Sequence, residues 1–231
     1  MSQNPETIVI VPCYKRPEYT AKCIRALEEA QGYENTLFYL IDDGSNDGTA
    51  EILRNAKFAW KHVIVNPSNC GLRNVLINAF QIARTFKYAV KVDNDCLVPK
   101  DWLKDITKFL ESGWVDVVSP NVHPSNAAFK HGSAEDPARP GIRPSKIVGG
   151  LWAMRTELIK DVYFEPMRVD GIRGAFSLLK QILIEKDPRV GWLPEVIVQD
   201  VGHWSGEHPE HIKSQEHLDY SVEVGRNIAW A

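Results

Sequence analysis

Tyr88-Ala89-Val90-Lys91-Val92-Asp93-Asn94-Asp95 is the stretch on which the fold turns: five strand-forming residues that stop abruptly at two carboxylates. Three further runs of this kind lie upstream. Thr7-Ile8-Val9-Ile10-Val11 is continuous rather than alternating, as in a parallel strand buried on both faces. Leu37 to Ile41 and His62 to Val65 complete the set. Helical patterns separate them. Pro17 opens one, in which Tyr19, Cys23, Ile24, Leu27 and Ala30 recur at three- and four-residue spacing. Thr49 to Ala56 reads as a short helix, and Leu72, Val75, Leu76, Ala79, Ile82, Ala83 and Phe86 form a long apolar stripe. A further helix follows Pro99, with Trp102, Leu103, Ile106, Phe109 and Leu110 on one face. Strands alternating with helices predict a parallel α/β sheet covered on both faces. In such sheets ligands bind beyond the carboxyl ends of the strands. The segments there are Pro12 to Arg16, Asp42 to Asp47, Asn66 to Gly71 and Asp93 to Asp95.

The second half is less regular. Asp116 to Ser119, Ile147 to Met154 with a glycine interruption, and Trp192 to Val198 around Pro194 read as strands; Phe176 to Ile184 reads as a helix. His123 to Ser145 is polar and proline-rich, and its length suggests a mobile lid or functional loop. The expected organisation is a ligand-binding half over 1–120, an acceptor-side half of the same domain over 121–205, and a helical tail over 206–231. With 44% hydrophobic residues and a formal net charge of -3, the chain can form an ordinary core and has no basic excess pointing to general nucleic-acid binding. Cys13, Cys23, Cys70 and Cys96 show no CxxC spacing and no flanking histidine, so free thiols in a reducing compartment are expected. Neither a signal peptide nor an apolar run of membrane-spanning length is evident, which predicts a cytoplasmic protein of undetermined oligomeric state.

Carboxylates at i and i+2, on a chain leaving a strand, can converge on one pocket. Such hard oxygen ligands suit Mg²⁺ or Mn²⁺, and the metal in turn binds phosphates. An isolated DxD is common in solvated turns, so its context matters. Asp42-Asp43-Gly44-Ser45-Asn46-Asp47-Gly48 offers consecutive acids able to accept hydrogen bonds from a base and a ribose. Gly44 and Gly48 permit positive φ, and Ser45 and Asp47 read as helix caps. Pro12-Cys13-Tyr14-Lys15-Arg16-Pro17 leads into a helix whose N-terminus can face an anion, and Tyr14 can stack on a base.

IVIVPCYKRPEYTAKCIRAL, YLIDDGSNDGTAEIL, NPSNCGLRNVLINAF and VKVDNDCLVPKDWL, in this order and spacing, resemble the family 2 glycosyltransferases. The resemblance covers roughly the first half of the chain. It implies a GT-A fold: a Rossmann-like, mostly parallel sheet flanked by helices, with a smaller acceptor-side region. It implies transfer of a sugar, with inversion, from a UDP- or GDP-linked donor to the hydroxyl of a saccharide or other acceptor. By position, it implies that Pro12, Tyr14 and Arg16 line the nucleotide pocket, that Asp43 contacts the base, and that Asn69, Gly71 and Arg73 shape the loop beside the nucleotide. Asp93 then approaches the ribose or the metal, and Asp95 binds Mn²⁺ or Mg²⁺. Val148 to Arg155 looks like the acceptor-side strand. Leu193-Pro194-Glu195-Val196 followed by His203 looks like the late strand and the histidine that completes the metal site.

One departure stands out. The family places a Glu-Asp pair about twenty residues before the late strand, the aspartate serving as general base, whereas Arg173-Gly174-Ala175-Phe176 carries no acid. Asp170 is the nearest upstream carboxylate and the expected base; Asp200 lies near His203. A catalytically degenerate binding protein and a nucleotidyltransferase are the alternatives. The latter is disfavoured because Val11 to Pro17 contains no glycine. A modified base in DNA is a less favoured acceptor; Lys130, Arg139, Arg143 and Lys146 are the phosphate contacts it would use.

Overall fold

Every residue of β1 (Thr7–Cys13) and of β4 (Tyr88–Val92) is buried, as their unbroken apolar runs require of strands covered on both faces. In the computed structural model, which describes residues 4–124, 143–144, 150–166 and 172–202, these two strands are parallel neighbours. β2 (Thr36–Asp42) lies parallel on the other side of β1, and β3 (Lys61–Val65) lies parallel outside β2.

Alternate residues serve opposite faces. Val9, Val11, Phe38, Leu40, Val90 and Val92 pack beneath α1 (Pro17–Glu29), α2 (Thr49–Asn55) and α4 (Trp102–Glu111). Ile8, Ile10, Ile41 and Ala89 pack against α3 (Leu72–Ala83) and α5 (Ile172–Lys186). Full burial of each large aliphatic side chain contributes about 1.5–3 kcal/mol, so these two layers dominate stability.

The downstream strands extend the same sheet. They are β5 (Cys96–Leu97), β6 (Val117–Pro124), β7 (Arg143–Pro144), β8 (Leu151–Arg155) and β9 (Val190–Asp200). The order is β3-β2-β1-β4-β8-β6-β9-β5, with β7 also on β9. β8 enters antiparallel between β4 and β6, so the parallel arrangement of the first half becomes mixed in the second. β9 is parallel to β6 but antiparallel to β5 and β7. Its register slips: Pro120 faces Leu193 while Asn121 faces Ile197. Pro194, which has no N–H for the ladder, lies in the bulge. β9 also runs further than the expected Trp192–Val198, and its last residue, Asp200, pairs with Cys96.

Of the expected lid over 123–145, only 123–124 and 143–144 are among the described residues, as strand; the rest, and the tail over 206–231, lie outside them. No helix among the described residues is long and apolar enough to cross a membrane.

Asp116 fastens the far half. Its carboxylate accepts hydrogen bonds from Arg189 N, Nε and Nη2 at 3.0, 2.8 and 2.7 Å. These bonds from Arg189 hold its carboxyl below the usual carboxylate range. A depressed folded value means that the stabilisation is present above the unfolded Asp pKa of about 3.9 and is lost as pH falls through the lower folded value. Asp116→Asn should therefore be less stable than the parent by about 1–2 kcal/mol at pH 7. The gap should narrow as pH falls below the unfolded Asp value and through the lower folded one; urea unfolding at neutral and acid pH checks it, and a pH-independent gap would contradict the assignment.

Candidate functional site

Parallel pairing brings the carboxyl ends of β1, β2, β3 and β4 to one edge, where four loops meet. The β1 loop has an unusual backbone. Lys15 and Arg16 are both left-handed, with φ of 57° and 62°, a conformation that is uncommon and costly for residues other than glycine. Three contacts oppose that cost. Lys15 N donates to Ser45 Oγ at 2.7 Å, Asn94 Nδ2 donates to Lys15 O at 3.5 Å, and the Arg16 side chain binds Asp95. Pro12 is buried within β1, opposite Ile41. Tyr14 is 42% exposed at the rim, with Lys15 Nζ 5.2 Å from its ring centroid.

The β2 and β3 loops are locked together by Asp43. Its Oδ1 accepts from Asn66 Nδ2 at 2.8 Å, Cys70 N at 3.0 Å and Cys70 Sγ at 3.1 Å, and its Oδ2 accepts from Gly71 N at 3.0 Å. Gly44 is required where these loops touch. Its φ is +74°, and a Cβ there would lie 2.6 Å from Ser68 C and 2.8 Å from Asn69 N. Asp42 binds Ser45 instead, through both its N–H and its hydroxyl. Ser45 thus bridges the first two loops and is not the cap expected of it. Asp47 precedes the N-cap of α2, Gly48, and accepts from Thr49 N at 3.1 Å. Arg73 turns away from this edge: Nε and Nη2 donate to Glu165 O, and Nη1 donates to Ser177 Oγ at 2.8 Å.

At the end of β4 the two acids differ. Asp93 N donates to Gly150 O at 2.8 Å, continuing the ladder with the β8 side, while its side chain remains 31% exposed. Its Oδ1 is paired with Lys91, a buried strand residue that the sequence pattern did not mark. The carboxylate of Asp95 is nearly buried, and Oδ2 accepts from Arg16 Nη1 at 2.9 Å. Arg16 Nη2 donates to Gly202 O, also at 2.9 Å, and Val201 N donates to Asp95 O at 3.0 Å. The chain leaving β9 is therefore laid against Asp95. Asp200 stands beside Cys96 and caps Gly202 N.

His203 follows Gly202 directly, but both His203 and Asp170 lie outside the described residues. Among the described residues no three His, Cys, Asp or Glu side chains gather as a metal cluster. Asp95 nevertheless suits a cation, since Arg16 already supplies one to it.

The thiols are poor nucleophile candidates. Burial pushes Cys13, Cys23 and Cys96 well up, and burial with the Asp43 carboxylate pushes Cys70 up to about 11.

The family model for glycosyl transferase family 2 matches residues 8–175. The chain is 29% identical over 128 residues to the glycosyltransferase AglE of Haloferax volcanii, a match covering 52% of this chain and 40% of that relative. It is 26% identical over 130 residues to the glycosyltransferase GlyA of Streptococcus pneumoniae serotype 4, covering 54% and 18%. Each match thus spans less than half of the relative.

Two solved structures share the fold. TarS 1-349 of S. aureus, in complex with UDP-GlcNAc, superposes with a TM-score of 0.70 at 22% identity, covering 97% of this chain and 65% of that one. The mannosyltransferase PcManGT of Pyrobaculum calidifontis, in complex with GDP-Man and Mn²⁺, gives 0.68 at 20%, covering 96% and 65%. The architecture is the GT-A fold.

A Cβ at Gly202 would lie 2.1 Å from both Arg16 Nη2 and Asp95 Oδ2, and 2.8 Å from Asp95 Cβ. Gly202→Ala should therefore destabilise by about 1–3 kcal/mol through overpacking. Chemical unfolding measures this, and an unchanged midpoint would mean that Gly202 does not lie over Asp95.

Proposed function

Because the chain belongs to glycosyl transferase family 2, we propose that it moves a sugar, with inversion, from a UDP- or GDP-linked donor to an acceptor hydroxyl, and that a divalent cation assists. The observation that carries this reading is the placement of Asp93 and Asp95 at the carboxyl edge of the parallel strands, between two loops tied by Asp43 and a β1 loop carrying Tyr14 and Arg16. UDP-GlcNAc in the TarS complex and GDP-Man with Mn²⁺ in the PcManGT complex support the donor class.

The chain's own groups divide the work. Tyr14, exposed at the rim, offers a face for the base. Asp43 keeps the β2 and β3 loops together, and its Oδ2, with one bond to Gly71 N, retains a lone pair for the nucleoside. Asp93 offers its exposed carboxylate to a ribose hydroxyl. Asp95 and His203 would hold the Mn²⁺ or Mg²⁺, which supplies charge neutralisation for the departing diphosphate. Arg16, whose guanidinium pairs with Asp95 at this edge, would donate to phosphate oxygens when Asp95 holds the cation. Asp170 takes the proton of the acceptor hydroxyl. It belongs to the stretch between Glu165 and Ser177, both of which Arg73 grips. The acceptor class is a saccharide or another hydroxyl compound.

The test is a panel of UDP- and GDP-sugars with Mn²⁺, read by thermal unfolding. Donor at about a hundred times its Kd should stabilise by about 2.7 kcal/mol, or roughly 5–10 °C for a chain of this size. Asp95→Ala should abolish most of the shift, and the parent should release nucleoside diphosphate when acceptor is supplied. Absence of any shift with either nucleotide class would overturn the proposal. A shift without transfer to any acceptor would make the chain a binding module.

A further inference from the structure

Lys91 is the last residue but one of β4, at 2% exposure, on the face that carries Ala89, with Ile10 and Trp152 opposite it on the two flanking strands. An apolar residue would stabilise such a position, whereas a buried ammonium is costly unless paired and hydrogen-bonded. Positions 89, 91 and 93 share a face because strand side chains alternate with period two. The Lys91 side chain therefore extends along the strand towards its carboxyl end. There Nζ pairs with Asp93 Oδ1 and donates to Gly150 O at 3.4 Å. Gly150 O also accepts from Asp93 N at 2.8 Å. Ammonium, carbonyl and aspartate thus close a ring that fixes both the backbone and the side chain of Asp93.

We propose that Lys91 is a positioning residue: it grips Asp93 through Oδ1 and so presents Oδ2 at the ligand edge as a fixed acceptor. This rests on the donor reading above. Lys91 is too deeply buried to touch a substrate, while the Asp93 side chain is 31% exposed. The neighbouring pair behaves differently. Arg16 is 20% exposed, its backbone is left-handed, and its Nε has no partner among the described residues. The counter-ion of Asp95 thus lies nearer solvent than that of Asp93, although Gly202 O and the Tyr19 ring also hold it.

A double-mutant cycle of Lys91→Met, Asp93→Asn and the double variant tests this, with two readouts. Without ligand, Asp93→Asn should lower the unfolding midpoint by about 5–10 °C, because it strands a buried charge, and adding Lys91→Met should restore most of the loss. With Mn²⁺ and the nucleotide sugar that the parent binds, Lys91→Met should weaken affinity about tenfold, and the double variant should bind no more weakly than Asp93→Asn alone. Additive stability losses, or unchanged affinity in Lys91→Met, would overturn the proposal. A parent that binds no nucleotide sugar would overturn both the donor reading and the presenting role, while restored stability in the double variant would still establish the pair.

Discussion

β4 is hydrogen-bonded on both sides, parallel to β1 and antiparallel to β8, and the ligand edge takes its shape from that pairing. The ladder with the β8 side runs one residue past the strand, through Asp93 N and Gly150 O. This fixes where the backbone turns and therefore where the two acids emerge. Both flanking strands are sealed by apolar layers, so polar groups of this region have only the edge at which to gather.

Charge balance at that edge is local. Asp93 and Asp95 are matched by Lys91 and Arg16, so the four groups sum to zero without any ligand. The pairings differ in depth: one cation is held inside the sheet, and the other sits on a strained loop whose conformation is maintained by contacts across three segments. Strain of this kind collects where a group has to move.

The first four strands and their helices were legible in the sequence because each is a long run with one clear period. The loops following them were legible because parallel topology dictates where they go. The second half was less so, for identifiable reasons. Cys96–Leu97 is too short to have a period, and it pairs with residues a hundred positions away. The antiparallel entry of β8 between β4 and β6 is a tertiary choice that no local pattern encodes. Within the site, Asp43, Asp93 and Asp95 come to the expected edge. Their partners were hidden, since a lysine inside a strand carries no mark of the carboxylate it will meet. The i, i+2 spacing of Lys91 and Asp93 on one strand face was the signal that could have found it. Arg73 illustrates the reverse: its place after the β3 loop suggested a role there, but its guanidinium reaches Glu165 and Ser177, which belong to distant sequence.

The central claim is that Asp95 exchanges Arg16 for a divalent cation when a nucleotide diphosphate binds. The most direct measurement is a crystal structure of the chain with Mn²⁺ and its nucleotide, using the anomalous signal of manganese to locate the ion. The account predicts a peak coordinated by Asp95 with the Arg16 guanidinium moved onto the phosphates. Bound nucleotide with the Arg16–Asp95 contact intact, and manganese absent from Asp95, would contradict it.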